Sequence, residues 1–118
     1  MTFQEAAEKY SGQGIDLKDV LKRMGGNESL CVKFLHKFLE DQTYGEFCTA
    51  YGKDDMRQAM VHAHTLKGLG GNLGLRGVYE QSACIVDKLR SGETDIAREA
   101  QALKEAYEAA VDTIKRIG

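Results

Sequence analysis

Residues 63–74 read Ala63-His64-Thr65-Leu66-Lys67-Gly68-Leu69-Gly70-Gly71-Asn72-Leu73-Gly74. On a helix, at about 100° per residue, His64, Lys67, Gly68 and Gly71 fall at i, i+3, i+4 and i+7 and share one face. Ala59, Ala63, Leu66, Gly70 and Leu73 share the opposite side, the apolar stripe that a core requires. Each glycine in a helix interior costs roughly 1 kcal/mol relative to alanine. A helix that carries several beside a histidine therefore needs something from that surface. Without Cβ atoms at Gly68 and Gly71, a partner can approach the imidazole closely. Lys67, one turn on, can place an ammonium beside an anion held on His64. An accessible nucleophilic nitrogen with a neighbouring cation suits phosphoryl transfer.

Working outward, helical periodicity runs through the whole chain, and nothing alternates with period two. Residues 2–10 form a short helix or an N-terminal arm, ended by Ser11-Gly12-Gln13-Gly14. Asp16 is an N-cap for a short helix carrying Leu17, Val20, Leu21 and Met24, and Gly25-Gly26 ends it. Asn27 caps a long helix that runs to a stop at Gly52, with Gly45 near its middle. Its apolar side uses Cys31, Phe34, Leu35, Phe38, Leu39, Phe47, Cys48 and Tyr51. The helix carrying His64 starts near Asp54, and so short a link makes the two helices antiparallel neighbours. Another helix runs from Arg76 to Arg90, with Val78, Ser82, Ile85, Val86 and Leu89 inward, and Ser91-Gly92 breaks it. Thr94 is a candidate cap for the last helix. There Ile96, Ala100, Leu103, Tyr107, Ala110, Ile114 and Ile117 recur at alternating spacings of three and four, a bundle seam. The pattern predicts an all-α fold: an antiparallel up-down-up-down four-helix bundle with one or two short N-terminal helices.

The chain has 118 residues, which fits a single domain over residues 1–118. Its net charge of −2 leaves no electrostatic footprint for nucleic acid. No apolar run approaches the ~20 residues of a membrane span. The N-terminus has neither the basic region nor the apolar stretch of a secretory signal, so a cytoplasmic protein is expected. Cys31, Cys48 and Cys84 are far apart and odd in number, which points to reduced thiols acting as small core hydrophobes. Proline is absent, in keeping with uninterrupted helices.

Ala63-His64-Thr65-Leu66-Lys67-Gly68 resembles the signature of histidine-containing phosphotransfer (Hpt) domains of two-component phosphorelays. The likeness continues through Asn72-Leu73-Gly74. Upstream it includes Gly14-Ile15-Asp16, Met24-Gly25-Gly26-Asn27 and Phe34-Leu35-His36-Lys37-Phe38, and it covers most of the chain from about residue 14 onward. The resemblance implies that Nε2 of His64 is phosphorylated and that Lys67 steadies the phosphoryl group. It implies response-regulator receiver domains, and a hybrid sensor kinase, as partners, with Mg²⁺ held by the receiver and no cofactor held by this chain. An ordinary imidazole titrates at about 6.5 and needs no special activation to present a lone pair near neutrality. Some members carry an acidic or amide residue about 22 positions after the histidine that orients its ring. Here that place is Val86, so Gln81 and Asp87 serve only if helix rotation favours them.

Other readings of the same residues compete with this one. His62-x-His64 invites a metal site, but residues two apart on a helix diverge by about 200°. His62 is instead a partly buried structural histidine near Leu66 and Leu69, His36 has no assigned role, and no metal is expected. The chain has no G-x-x-x-x-G-K-[ST] loop and no glycine-rich ATP lid, which makes it a phosphoryl carrier rather than an autonomous kinase. A phosphorylatable domain of a chemotaxis-type histidine kinase would present the same face. A binding-only adaptor for receivers would not need His64 and Lys67 intact. Met1 and the compact length favour a separate protein, and a monomer is the default expectation.

Overall fold

Side-chain caps open most of the helices in the computed structural model, which describes residues 1–117. Thr2 opens α1, Phe3–Tyr10, with a capping box: its hydroxyl accepts from the Glu5 N–H while the Glu5 carboxylate accepts from the Thr2 N–H. The N-terminal segment is therefore a helix rather than an arm. After a 3-10 turn, Ser11–Gln13, Asp16 caps α2, Leu17–Arg23. Asn27 caps α3, Glu28–Phe38, through a bond from the Leu30 N–H. Next come α4, Thr43–Gly52, and α5, Met56–Asn72, which Asp55 caps. α6, Arg76–Arg90, and α7, Ala97–Ile114, complete the set.

These helices form an all-α bundle. α5 packs against α4 and α6, and α6 packs against α7. Tyr107 on α7 stacks on Tyr44 of α4 at 4.0 Å and tilts against Phe38 of α3 at 5.7 Å. Such aromatic pairs add about 0.5–1.5 kcal/mol beyond the area they bury. His36, which had no assigned role, bonds through Nε2 to the Ile117 carbonyl. A carbonyl only accepts, so that nitrogen carries the proton. The core is continuous with the N-terminal layer: Ala6, Ala7, Tyr10, Ile15 and Leu17 join Leu35, Phe47, Leu66, Ile85, Leu103 and Ile114 in one buried cluster.

One closure recurs at the helix C-termini, in which a left-handed residue lets the next N–H reach back to a carbonyl five residues earlier. At the end of α5 Gly74 takes φ 65° and the Leu75 N–H bonds to the Gly70 carbonyl at 2.8 Å. α2 ends the same way at Gly25, and α6 at Gly92. At the end of α4 the left-handed residue is Asp54, φ 58°, with the Asp55 N–H on the Ala50 carbonyl at 2.9 Å. The helix stops at Gly52 as expected, and its closing left-handed residue stands two positions further on. A short polar side chain tolerates this conformation better than an apolar one does.

Three expectations are corrected. The long helix expected from Asn27 to Gly52 is two helices. Tight i→i+3 bonds at Leu39, Glu40 and Asp41 end the first, and the Asp41 carboxylate takes the Thr43 N–H at 2.9 Å to start the second. Thr94 lends no side chain to α7. Ile96 opens that helix, fully buried, with its N–H on the Thr94 carbonyl. Of the cysteines only Cys31 is buried, and Cys48 and Cys84 stand on exposed faces of α4 and α6. On α3, Phe34, expected on the apolar side, is 38% exposed.

Among the described residues no helix is long and apolar enough to cross a membrane. Between α6 and α7, Lys88 Nζ lies 3.0 Å from Glu99 Oε2. The bond from Lys88 holds the Glu99 carboxyl below its ordinary value, and the same bond raises Lys88. A depressed carboxylate contributes stability above its unfolded pKa, and that contribution is lost as pH falls through the folded pKa. Glu99→Gln should therefore lower the melting temperature at neutral pH by a few degrees. In thermal scans at a series of pH values, its difference from the parent should close as the pH falls through the carboxylate range.

Candidate functional site

Asp55 fixes where α5 begins, and burial fixes its rotation. Ala59, Ala63, Leu66 and Gly70 are buried, so the opposite side faces solvent. His64 and Gly68 are exposed there, with Lys67 and Gly71 half-buried beside them. The Thr65 hydroxyl is occupied by the Val61 carbonyl at 3.3 Å and leaves His64 alone. A Cβ built at Gly68 meets nothing within 4 Å, so the space above the helix next to the imidazole is open. Lys67 makes no ion pair among the described residues, and its ammonium is free to meet an incoming anion.

The four glycines divide by neighbour. At Gly70 a Cβ would stand 2.8 Å from the Tyr79 nitrogen and 3.3 Å from the Leu75 carbonyl oxygen. This glycine lets α5 and α6 approach backbone to backbone. At Gly71 the nearest atom would be Cδ2 of the Tyr79 ring at 3.5 Å, so the ring roofs one side of that position. Gly74 is the left-handed residue that closes α5, and a Cβ there would strike the Asp16 carbonyl oxygen at 2.7 Å.

His62 points away from His64, half-buried, with Nδ1 3.3 Å from Glu46 Oε2 on α4. It ties α4 to α5. Among the described residues no group of three His, Cys, Asp or Glu side chains could hold a metal ion. On α6, Val86 is fully buried in the core. Gln81 is half-buried and Asp87 exposed, and among the described residues neither hydrogen-bonds to His64.

Three residues near His64 escaped the sequence reading. Val61, three positions before His64, is 48% exposed, and Arg57, seven before it, is exposed as well. Both follow from the helical spacing. Tyr79, 42% exposed, belongs to α6 and reaches this face only through the packing of α6 on α5.

A family model for the Hpt domain matches residues 33–114, more than half of the chain. The chain belongs to the Hpt domain family. Hpt domains carry phosphoryl groups on histidine in phosphorelays and interact with receiver domains. No curated protein and no solved structure matches the chain. The match begins within α3, so α1 and α2 lie outside it.

Two alanine substitutions separate these glycines by their surroundings. Gly68→Ala should leave stability unchanged or raise it by up to about 1 kcal/mol. Gly70→Ala must push α6 away and should cost about 1–3 kcal/mol. Urea unfolding of the two variants measures the difference.

Proposed function

We propose that this Hpt domain is a cytoplasmic, monomeric phosphoryl carrier that accepts on His64 and serves two receivers in turn. The observation that carries the reading is the exposed His64 imidazole on a face left open at Gly68, within a chain of this family. A receiver brings its phospho-aspartate to that face. The Nε2 lone pair forms the P–N bond as the P–O bond to the aspartyl carboxylate breaks, and the bonding pair leaves on that carboxylate. The ring keeps its Nδ1 proton. Return transfer to a second receiver's aspartate runs the same exchange backwards. Lys67, one turn from His64, supplies positive charge to the phosphoryl oxygens as they are handed over. Mg²⁺ belongs to the receiver's carboxylates.

Gly68 keeps the approach clear. Of the two candidates for orienting the ring, helix geometry favours Asp87. It lies about 80° around α6 from Tyr79, whose ring covers α5, whereas Gln81 lies about 160° away. Gln81 instead follows Gly77 by one turn, on the flank where Gly77 meets Ala106 of α7. The shared buried cluster of α1, α2 and the bundle supports treating residues 1–118 as one unit.

Incubation with a phosphorylated receiver and Mg²⁺ should leave acid-labile, base-stable label on the chain. His64→Gln should abolish it, and label that persists in this variant overturns the assignment. Lys67→Ala should slow transfer by roughly 10²-fold, the scale of one electrostatic donor at a transferring group. Gly68→Leu should block transfer from a receiver yet leave His64 open to phosphoramidate, a phosphodonor small enough to pass the side chain.

A further inference from the structure

Beside the His64 face, α2 and the start of α6 enclose a groove of about 250 Å³ lined by Asp16, Asp19, Arg23, Arg76 and Tyr79 over the end of α5. It meets the His64 face at Gly71, which shares the face with His64 and carries the Tyr79 ring. Its carboxylates are engaged: Asp16 caps the Asp19 N–H at 3.1 Å, and Asp19 holds the Arg23 guanidinium at 2.8 Å. Arg76 differs. Its guanidinium donates to the Ser11 carbonyl at 3.0 Å, which fixes its position without neutralising it, and it pairs with no carboxylate among the described residues. Asp16, whose carboxylate meets only a backbone N–H, keeps its charge in the same groove, so the groove offers a fixed guanidinium outside ion-pair distance of any described carboxylate, next to a 42% exposed aromatic ring.

We propose that this groove extends the receiver-docking surface and selects among receivers, through a carboxylate read by Arg76 and an apolar contact on Tyr79. The proposal rests on the reading of His64 as the phosphoryl acceptor. Charge complementarity supports the occupant. A receiver must bring an aspartyl phosphate and carboxylates holding Mg²⁺ against His64, so its contact carries acidic groups that a neighbouring guanidinium can meet. A positioned guanidinium one helix away is suited to that surface, and exposed aromatic and arginine side chains are the usual anchors of such contacts. The groove's α2 wall lies outside residues 33–114, so this part of the surface belongs to the chain's own N-terminal layer rather than to the stretch matched by the family.

The test uses the full chain with each receiver domain of the same genome, phosphorylated by acetyl phosphate. Phosphoramidate labelling of His64 serves as a partner-free measure. Arg76→Glu and Tyr79→Ala should each raise KM for the preferred receiver roughly tenfold. Their kcat and phosphoramidate labelling should stay near those of the parent. Arg76→Glu should also flatten the salt dependence, and Arg76→Lys should recover most of the loss. Parental KM values in both variants with every receiver overturn the proposal. So does a matching loss of phosphoramidate labelling, which would mean that α5 itself is damaged. A parent chain that phosphoramidate does not label, or labels equally in His64→Gln, overturns the reading of His64 and the proposal with it.

Discussion

The close approach of α5 to α6 at Gly70 is the contact on which the rest of the structure depends. With no Cβ at Gly70, the backbone of Tyr79 settles against α5, and a methyl group there would overlap the Tyr79 nitrogen. The turn that follows is held from both sides. Leu75 N–H returns to the Gly70 carbonyl, and the N-terminal segment bonds across it, Asp16 N–H to the Gly74 carbonyl and Arg76 N–H to the Gly14 carbonyl, both at 2.9 Å. Ile15 and Leu75 pair as an isolated antiparallel bridge, each almost fully buried. This junction seats α2 and fixes the end of α5. It also brings Tyr79 over Gly71. Rotation of α5 about its axis, and so the outward direction of His64, follows from the same packing.

Much of this was legible in the sequence because it depends on local spacing. The α5 stripe of Ala59, Ala63, Leu66 and Gly70 is buried as the helical period requires, and the caps at Asp16 and Asn27 act through their own neighbouring N–H groups. The α7 seam holds for the same reason, with Leu103, Ala110 and Ile114 inward. What escaped was decided by competition between near-equal local choices. α4 stops at Gly52, but register placed the left-handed residue of its closing turn at Asp54, although glycine is the commoner occupant. The break at residues 39–42 follows from the Asp41 carboxylate taking a backbone N–H, an alternative that a periodicity count does not weigh. Once the helix is broken, α4 turns to bury Phe47 and Ala50, and Cys48 is carried outward.

The site divides in the same way. His64, Lys67 and Gly68 lie on one helix, so their common face could be read from spacing alone. Tyr79 and Arg76 lie on another helix, and only tertiary packing brings them alongside. Val86 illustrates the converse. Counting residues from His64 leads to it, but α6 turns that position into the core, where a polar group would need a partner of its own.

In the proposed transfer, chemistry and recognition at this face place different demands on the chain. Attack on phosphorus needs an accessible lone pair, a nearby cation and room, all of which one and a half turns of α5 provide. None of these distinguishes one receiver from another, because every receiver presents the same phosphorylated carboxylate. Discrimination therefore has to come from side chains around the contact, where substitution does not disturb the reacting atoms. The junction at Gly70 and Gly74 supplies the positions proposed for it. It holds the backbone of α2, α5 and α6 together through main-chain bonds and close packing. The side chains of Arg76 and Tyr79 face outward from it, at a fixed place relative to His64.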